Sequence, residues 1–246
     1  LVAEKTKKGY LLASGAGAGA PAGGGAGAGG VVHAKAGTAF RMGDLEQLDG
    51  HPHDHAETFM GMKVAEFGGG EDGDGDGDGD EGGGSGLKNV AKRAWRVSAG
   101  DDGEGSFSDW KETFDKLLAD PNASKVKALV VGLWDMEMGA GEDGGPMIDA
   151  ICAAKGTLTS LAALFLNDVQ PEECEVSWLN LREVSPILAA YPKLEHLRVR
   201  GNASGETMGK LKSTALRSLQ LEGSNLARSI VQQVASADLP NLEHLE

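Results

Sequence analysis

Apolar and polar residues follow a pattern that recurs along the second half of the chain. The segment KLEHLRVRGN, residues 193–202, reads Leu-x-x-Leu-x-Val-x-x-Asn, and related spacings occur in VKALVVGLW, LAALFLNDV, LRSLQLEGSN and NLEHLE. These five units begin at residues 126, 161, 194, 216 and 242, so the steps between them are 35, 33, 22 and 26 residues. Alternation of this kind predicts one short strand in each unit, with its leucines on a single face.

The segments before and between these strands have the apolar spacing of helices. In SFSDWKETFDKLLADP, Ser106 and Asp109 form a predicted capping box, and Pro121 ends the predicted helix. Further helices are predicted in GGPMIDAICAAKG, SPILAAYP and SNLARSIVQQVASADLP, with Ser185 as the N-cap of the second of these. A unit of one strand and one helix cannot bury its apolar face alone, so the units must stack. We therefore predict an α/β solenoid over residues 87–246, with parallel strands on the concave side and helices on the convex side.

A low-complexity segment precedes the pattern. SGAGAGAPAGGGAGAGG, residues 14–30, has almost no side chain to bury, so burial cannot offset the entropy lost on ordering it. This composition predicts a flexible Gly/Ala-rich linker over residues 13–50.

A second low-complexity segment, GGGEDGDGDGDGDEGGGSG at residues 68–86, combines glycine with alternating aspartate. A calcium-binding loop that started at Asp72 or Asp74 would need a glutamate at its twelfth position, where the chain has Gly83 or Ser85. We interpret the segment as a solvated, disordered insertion between residues 51–67, an N-terminal part of the repeat domain, and the repeats themselves.

The repeated units resemble leucine-rich repeats of the ribonuclease-inhibitor-like type, whose usual length is about 20 to 29 residues. The longer steps in this chain would then carry inserted loops. The segments HAETFMGMKVAEF, AWRVS, LVVGLW, LFLNDV, EECEVSW and LEHLRVRG, in this order, also resemble a bacterial family that joins such repeats to a WGR domain.

The first twelve residues, LVAEKTKKGYLL, resemble the last helix and the final strand of a WGR domain. The resemblance implies that residues 1–12 are the remnant of a domain that contacts DNA in poly(ADP-ribose) polymerases. The Trp-Gly-Arg signature is not in this sequence, so no DNA-contacting residue can be assigned.

The net charge, the length of the apolar runs and the cysteine content restrict the expected partners and the expected cellular compartment. The formal charge of −14 disfavours nucleic-acid binding over the whole surface. No apolar run approaches the length of about 18 residues that a membrane helix needs, so we expect no membrane contact. Cys152 and Cys174 cannot form a disulfide framework, which favours an intracellular, cytoplasmic location, with the nucleus as the alternative. Because the chain begins with Leu1 and stops inside a unit, we expect a fragment that is truncated within the repeats.

The predicted concave face is the candidate binding surface. Positions are counted from the first residue of each unit. The side chains at the fifth position change from apolar to charged along the chain, and those at the seventh position are mostly polar. The candidate partner-binding residues are Val130, Phe165, Asn167, His196, Arg198, Arg200, Gln220 and Glu222. Arg200 and Glu222 are expected to pair across strands, whereas the face as a whole is expected to bind a partner. The ring of Phe165 needs a cover, which is either an intramolecular strap from ETFMGMKVAEF or a residue of a partner.

Two groups of side chains in the sequence are potentially reactive. HPHDH, residues 51–55, makes His51, His53 and His55 weak candidates for a transition-metal site, but ligands so close in one loop rarely enclose an ion without a distant ligand. Cys152 is expected to be a buried thiol, and the acidic neighbours of Cys174 are expected to raise its pKa.

The sequence contains no recognisable catalytic motif, and we expect no cofactor. The favoured hypothesis is therefore a non-enzymatic module that binds an unidentified protein through its concave face. Two alternatives stay open: a nucleic-acid-associated protein that acts through the incomplete WGR domain, and a regulatory subunit of an enzyme.

Overall fold

A computed structural model describes residues 2–6, 9–13, 55–68, 86–100, 105–137, 143–203, 207–224 and 226–246. The strands, in chain order, are β1 Val2–Thr6, β2 Gly9–Ala13, β3 Thr58–Phe59, β4 Met62–Glu66, β5 Arg93–Val97, β6 Ala128–Val131, β7 Ala163–Leu166, β8 Asn180–Leu181, β9 His196–Arg200, β10 Asn202–Ala203, β11 Ser218–Glu222 and β12 His244–Leu245. The α-helices are α1 Phe107–Ala119, α2 Gly145–Ala153, α3 Ser185–Ala190 and α4 Arg228–Ala235. Two single-turn 3-10 helices, Ala123–Lys125 and Ala154–Gly156, follow α1 and α2.

The fold is mixed α/β, with a curled and mostly parallel sheet. Eight strands form this sheet in the order β12-β11-β9-β7-β6-β5-β4-β3, and only the β3–β4 pair is antiparallel. The strands predicted in the five units are β6, β7, β9, β11 and β12, and each begins two residues after the start of its unit. Their parallel pairing in chain order is confirmed. Strands β5 and β4, which the repeat pattern did not predict, continue the sheet.

Helix α1 forms at the position predicted from the sequence. The Ser106 hydroxyl accepts a hydrogen bond from the backbone N–H of Asp109, and the Asp109 carboxylate accepts one from the backbone N–H of Ser106 at 2.8 Å. The predicted capping box is therefore confirmed. The helix ends two residues before Pro121, which cannot continue it. Its buried face consists of Trp110, Phe114 and Leu117.

Helix α3 starts differently from the prediction. Val184 is the N-cap, and Ser185 is the first helical residue, without a side-chain capping bond. The backbone N–H of Ser185 donates instead to the carbonyl of Met208 at 3.1 Å, so another loop of the chain satisfies this helix-terminal donor. The predicted capping role of Ser185 is wrong.

Alternation along the strands divides their side chains between two cores. Leu164 and Leu166 of β7 belong to the large core, which is packed against the helices, whereas Phe165 between them belongs to a smaller cluster on the opposite face of the sheet. The predicted register of this unit is therefore confirmed. We call the face opposite the helices, to which Phe165 belongs, the front face. It is the face predicted to be concave.

Strands β1 and β2 pair antiparallel, with Val2 opposite Ala13 and Thr6 opposite Gly9. The resemblance of residues 1–12 to the end of a WGR domain implied a helix followed by a strand, but Val2–Thr6 is a strand that pairs with the strand after it. Within the described residues, no helix has the length and apolar character needed to cross a bilayer.

Candidate functional site

The front face is built from rows of side chains that cross the parallel strands in register. The first row, from β5 to β12, consists of Ala94, Ala128, Ala163, His196, Ser218 and His244. The second row, from β5 to β11, consists of Arg96, Val130, Phe165, Arg198 and Gln220. Because neighbouring strands lie about 4.8 Å apart, each row is a continuous surface. The face thus has an apolar half on β5–β7 and a polar half on β9–β12.

The apolar half is covered by the chain itself. We call residues 55–59, which contain β3 and precede the turn to β4, the strap. The ring centroid of Phe59 lies 5.8 Å from that of Phe165, and both side chains are buried. Phe59 shares a buried cluster with the three alanines of the first row, whose side chains end at Cβ and so leave room for its ring. We call these three alanines the alanine floor, and the space above them that the Phe59 ring fills the groove. Of the two covers considered for Phe165, the intramolecular strap is the one observed.

The N-terminal end of the strap is held by Asp168, whose side chain is 0% exposed. The backbone N–H of Ala56 donates to both carboxylate oxygens of Asp168 at 3.1 Å. Arg96 donates to the same carboxylate through Nε, at 3.0 Å, and through Nη2, and it also donates to the Ala56 carbonyl at 2.8 Å. Nη1 of Arg200 lies 3.8 Å from the other Asp168 oxygen. Two cations and a backbone donor therefore compensate the burial of this charge.

His55 adds an ion pair at the entrance of the strap. Its Nδ1 lies 3.0 Å from the backbone oxygen of Asp168, and its Nε2 lies 3.4 Å from the Glu173 carboxylate. The hydrogen bond with Glu173 raises the pKa of His55, although burial and the charge of Arg96 oppose this shift. Burial alone would raise the pKa of Glu173, but hydrogen bonds from His55 and from the backbone of Gln170 outweigh it and lower that pKa. Both shifts favour an imidazolium–carboxylate pair.

The polar half of the front face is organised around Glu222. This carboxylate accepts hydrogen bonds from Arg198 and, at 3.0 Å, from Nε of Arg200. The expected pairing of Arg200 with Glu222 is confirmed. The Arg198 guanidinium also lies 4.3 Å from the centroid of the Phe165 ring, which is cation–π geometry. Arg198 thus contacts both halves of the face.

The remaining polar residues of this half are linked less directly. Gln220 donates to the Glu246 carboxylate at 2.8 Å. Burial, together with the charge of Arg217 and the proximity of His244, lowers the pKa of His196 to about 4, so its imidazole is neutral at pH 7.

All eight predicted binding residues lie on the front face or at its edge, but seven of them are buried. Only Glu222 is partly exposed, with 28% of its side chain accessible. The prediction is corrected for Asn167, whose amide accepts from Trp134 Nε1 at 3.0 Å and donates to the Arg200 carbonyl at 2.9 Å. These bonds, together with its positive φ of 63°, give Asn167 a role in closing the turn after β7 rather than in contacting a partner. Val130 and Phe165 lie beneath the strap. The binding role of the face stays a prediction.

Three features of this site were not predicted from the sequence: Asp168, Arg96 and the row of alanines. The alanines carried a signal, because Ala128 and Ala163 both occupy the third position of their units. Asp168 lies two residues after the buried strand β7, at the carboxyl end of the strand, where parallel sheets often carry functional residues. Its pairing with Arg96 and Ala56 joins residues 72 and 112 positions apart, which no local pattern indicates.

The metal and thiol candidates do not form a site among the described residues. His51 and His53 lie outside the described residues, as does the acidic stretch 69–85, and His55 is used in the contacts described above. Among the described residues, no group of three or more histidine, cysteine or acidic side chains is arranged to hold a metal ion. Cys152 is half-buried and Cys174 is buried, and both are free thiols. Burial, more than the acidic neighbours, raises the pKa of Cys174, and burial also raises the pKa of Cys152.

No protein-family model and no curated protein matches this chain. A similar solved structure is a crystal structure of a protein from Bacteroides fragilis, with 33% sequence identity and a TM-score of 0.49. The alignment covers 57% of this chain and 40% of that protein.

Proposed function

We propose that the chain is a non-enzymatic module that binds a protein partner through the polar half of its front face. The observation that supports this proposal is the polar row in which Arg198 and Gln220 lie in register on adjacent parallel strands, and Gln220 donates to the carboxylate of Glu246, the residue that follows β12. Extended faces of this kind, made by successive short units, are typical protein-binding surfaces. The chain provides its own cover for the apolar half, so the partner is expected at the polar half.

We also propose that the strand–helix units form a leucine-rich-repeat solenoid of the ribonuclease-inhibitor-like type. The parallel pairing of the five predicted strands in chain order supports this, as do the helices between them. The relationship to proteins that join such repeats to a WGR domain is proposed on the sequence resemblance alone. An intracellular location is proposed from the two free thiols.

One exposed side chain offers a further anchor for the partner. Trp178, in the loop between β7 and β8, is 56% exposed. Tryptophan is enriched among the residues that dominate protein-binding energies, because it buries a large area with few rotatable bonds. Trp178 is therefore the first aromatic residue that we would expect a partner to cover.

The experiment begins with the full chain as bait and identification of the proteins that it captures, followed by affinity measurements with the purified candidate. The double variant Gln220→Ala/Glu246→Ala should weaken binding by about fivefold or more, which is the effect of losing contacts worth about 1 kcal/mol. Glu112→Ala is the matched control, because Glu112 is an exposed acidic residue of α1 on the other side of the sheet. Equal affinities of the front-face variant and the control would contradict the proposal. Double-stranded DNA serves as a comparison ligand, and salt-dependent binding to it would favour nucleic-acid association instead.

A further inference from the structure

The connection between the strap and β4 is a two-residue hairpin under backbone strain. Phe59 pairs with Met62, so only Met60 and Gly61 lie in the turn. Their φ angles are 54° and 68°, as a tight hairpin turn of two residues requires. Glycine adopts this conformation readily, whereas for methionine its Cβ makes the left-handed region unfavourable. Met60 is therefore strained for as long as the strap folds back on β4 of its own chain.

The contacts that hold the strap do not require the strap and the sheet to belong to the same copy of the chain. Asp168 and Arg96 bind the backbone N–H and the carbonyl of Ala56, and the alanine floor and Phe165 receive the ring of Phe59. The strap also pairs with β4, for example through Thr58 and Lys63. A strap that extended away from its own β4 could make each of these contacts in a second copy of the chain. Exchange would thus preserve the strap's contacts and change only the hinge.

We propose that two copies of this chain exchange their straps, so that Phe59 of each copy fills the front-face groove of the other. Opening the turn removes the positive φ at Met60 in both copies, and this release favours the exchanged dimer. Short, strained hinges are a recognised cause of such exchange. The proposal concerns the apolar half of the front face and does not depend on a partner at the polar half.

The test uses the full chain and three hinge variants. Met60 packs against the groove cluster, so Met60→Gly and Met60→Ala both lose that side chain, but only glycine relieves the strain. Gly61→Ala adds strain at a φ of 68° without steric conflict, because nothing lies within 4 Å of the new Cβ. Each protein is unfolded, refolded at low and at high concentration, and its mass is measured by gel filtration with light scattering.

We expect a dimer whose fraction rises with the protein concentration during refolding. Its association constant should be lower for Met60→Gly than for Met60→Ala by about tenfold, because two hinges lose their strain in the monomer. Gly61→Ala should raise the constant above that of the unaltered chain by a similar factor. A chain that stays monomeric at all concentrations overturns the proposal, and so does a dimer that the hinge substitutions leave unchanged. Circular dichroism of the monomers checks that every variant is folded.

Discussion

Asp168 is the residue that connects the strap to the sheet most directly. Its buried carboxylate accepts from Arg96 and from the backbone of Ala56, and an asparagine in its place has one acceptor oxygen and no charge. Asp168→Asn should therefore lower the free energy of unfolding by about 3–5 kcal/mol, since it removes the buried carboxylate that pairs with Arg96, whose side chain is only 13% exposed. Urea denaturation measures this change. Asp115→Asn removes an exposed carboxylate paired with Lys111 within α1 and should cost less than about 1 kcal/mol. If the two substitutions had equal effects, Asp168 would not be a buried structural anion.

The ion pair of His55 with Glu173 predicts a dependence on pH. The pKa of His55 is raised in the folded chain, mainly by Glu173, so the stabilisation is complete below the unfolded value of about 6.5 and is lost as pH rises through the folded pKa. The charged groups that face the imidazole are Glu173, Asp168 and Arg96. Because the side chain of His55 is 30% exposed, we expect an effect of about 1 kcal/mol or less.

The measurement is the difference in unfolding free energy between the unaltered chain and His55→Gln, at pH 6 and at pH 8.5. Taking this difference cancels the opposite titration of His196, which disfavours folding as pH falls towards about 4. The difference should be larger at pH 6. A larger difference at pH 8.5 would mean that the imidazolium does not stabilise the fold.

Single residues were predictable from the sequence where their role is local. The capping of α1 by Ser106 and Asp109 depends on residues three positions apart, and it was predicted correctly. The burial of Asn167 depends on Trp134 and on Arg200, each 33 positions away. Its place in the repeat marked it as a front-face residue, but only the tertiary contacts show that its amide closes a turn.

At the scale of elements, the large ring of Phe59 in the strap fits over the small side chains of the alanine floor. Phe59→Ala should cost about 3–5 kcal/mol, because it leaves a cavity over the alanine floor. Ala128→Leu should cost about 1–3 kcal/mol, because the larger side chain competes with the Phe59 ring. The double variant should cost clearly less than the sum of the two, since the leucine fills the space that the ring has left. Urea denaturation of the three variants tests this coupling.

The control for this prediction combines Ala128→Leu with Leu219→Ala. Leu219 lies on β11 and packs on the helix side of the sheet, so it shares no contact with the strap. These two substitutions should be additive within about 0.5 kcal/mol. If Phe59→Ala and Ala128→Leu were also additive, the ring would not occupy the groove.

The strands of the repeat were easier to predict than the strands that precede it. Units from residue 126 onward repeat their leucines, so each strand supports the prediction of the others. Strand β4 has an exposed or half-buried side chain at every position, and β3 has only two residues. Strand β4 forms because it pairs with β5, and β3 forms because Phe59 packs on the alanine floor. Both are tertiary contacts, which a local sequence pattern does not indicate.

At the scale of the molecule, the helix-side core joins the sheet from one end to the other. Its buried residues run from Phe67, which follows β4, to Leu242, which precedes β12, and each strand–helix unit packs on the next. In stacked units, stability comes from the interfaces between neighbours as well as from the units themselves. The cluster beneath the strap adds a second set of contacts, restricted to β5–β7. The N-terminal half is thus covered on both faces of its sheet.

This arrangement predicts that the described region unfolds as one cooperative unit. The buried tryptophans Trp95, Trp110 and Trp134 all lie in the N-terminal half, so intrinsic fluorescence reports mainly on that half, whereas far-UV circular dichroism reports on all elements. Because the helix-side core is continuous, the two signals should change at the same urea concentration. Leu197→Ala, in the central strand β9, should cost about 2–5 kcal/mol and move both transitions together, although Leu197 lies outside the half that contains these tryptophans. If the substitution shifted the circular dichroism transition and left the fluorescence transition in place, the two halves would unfold separately, and the interface between β7 and β9 would not couple them.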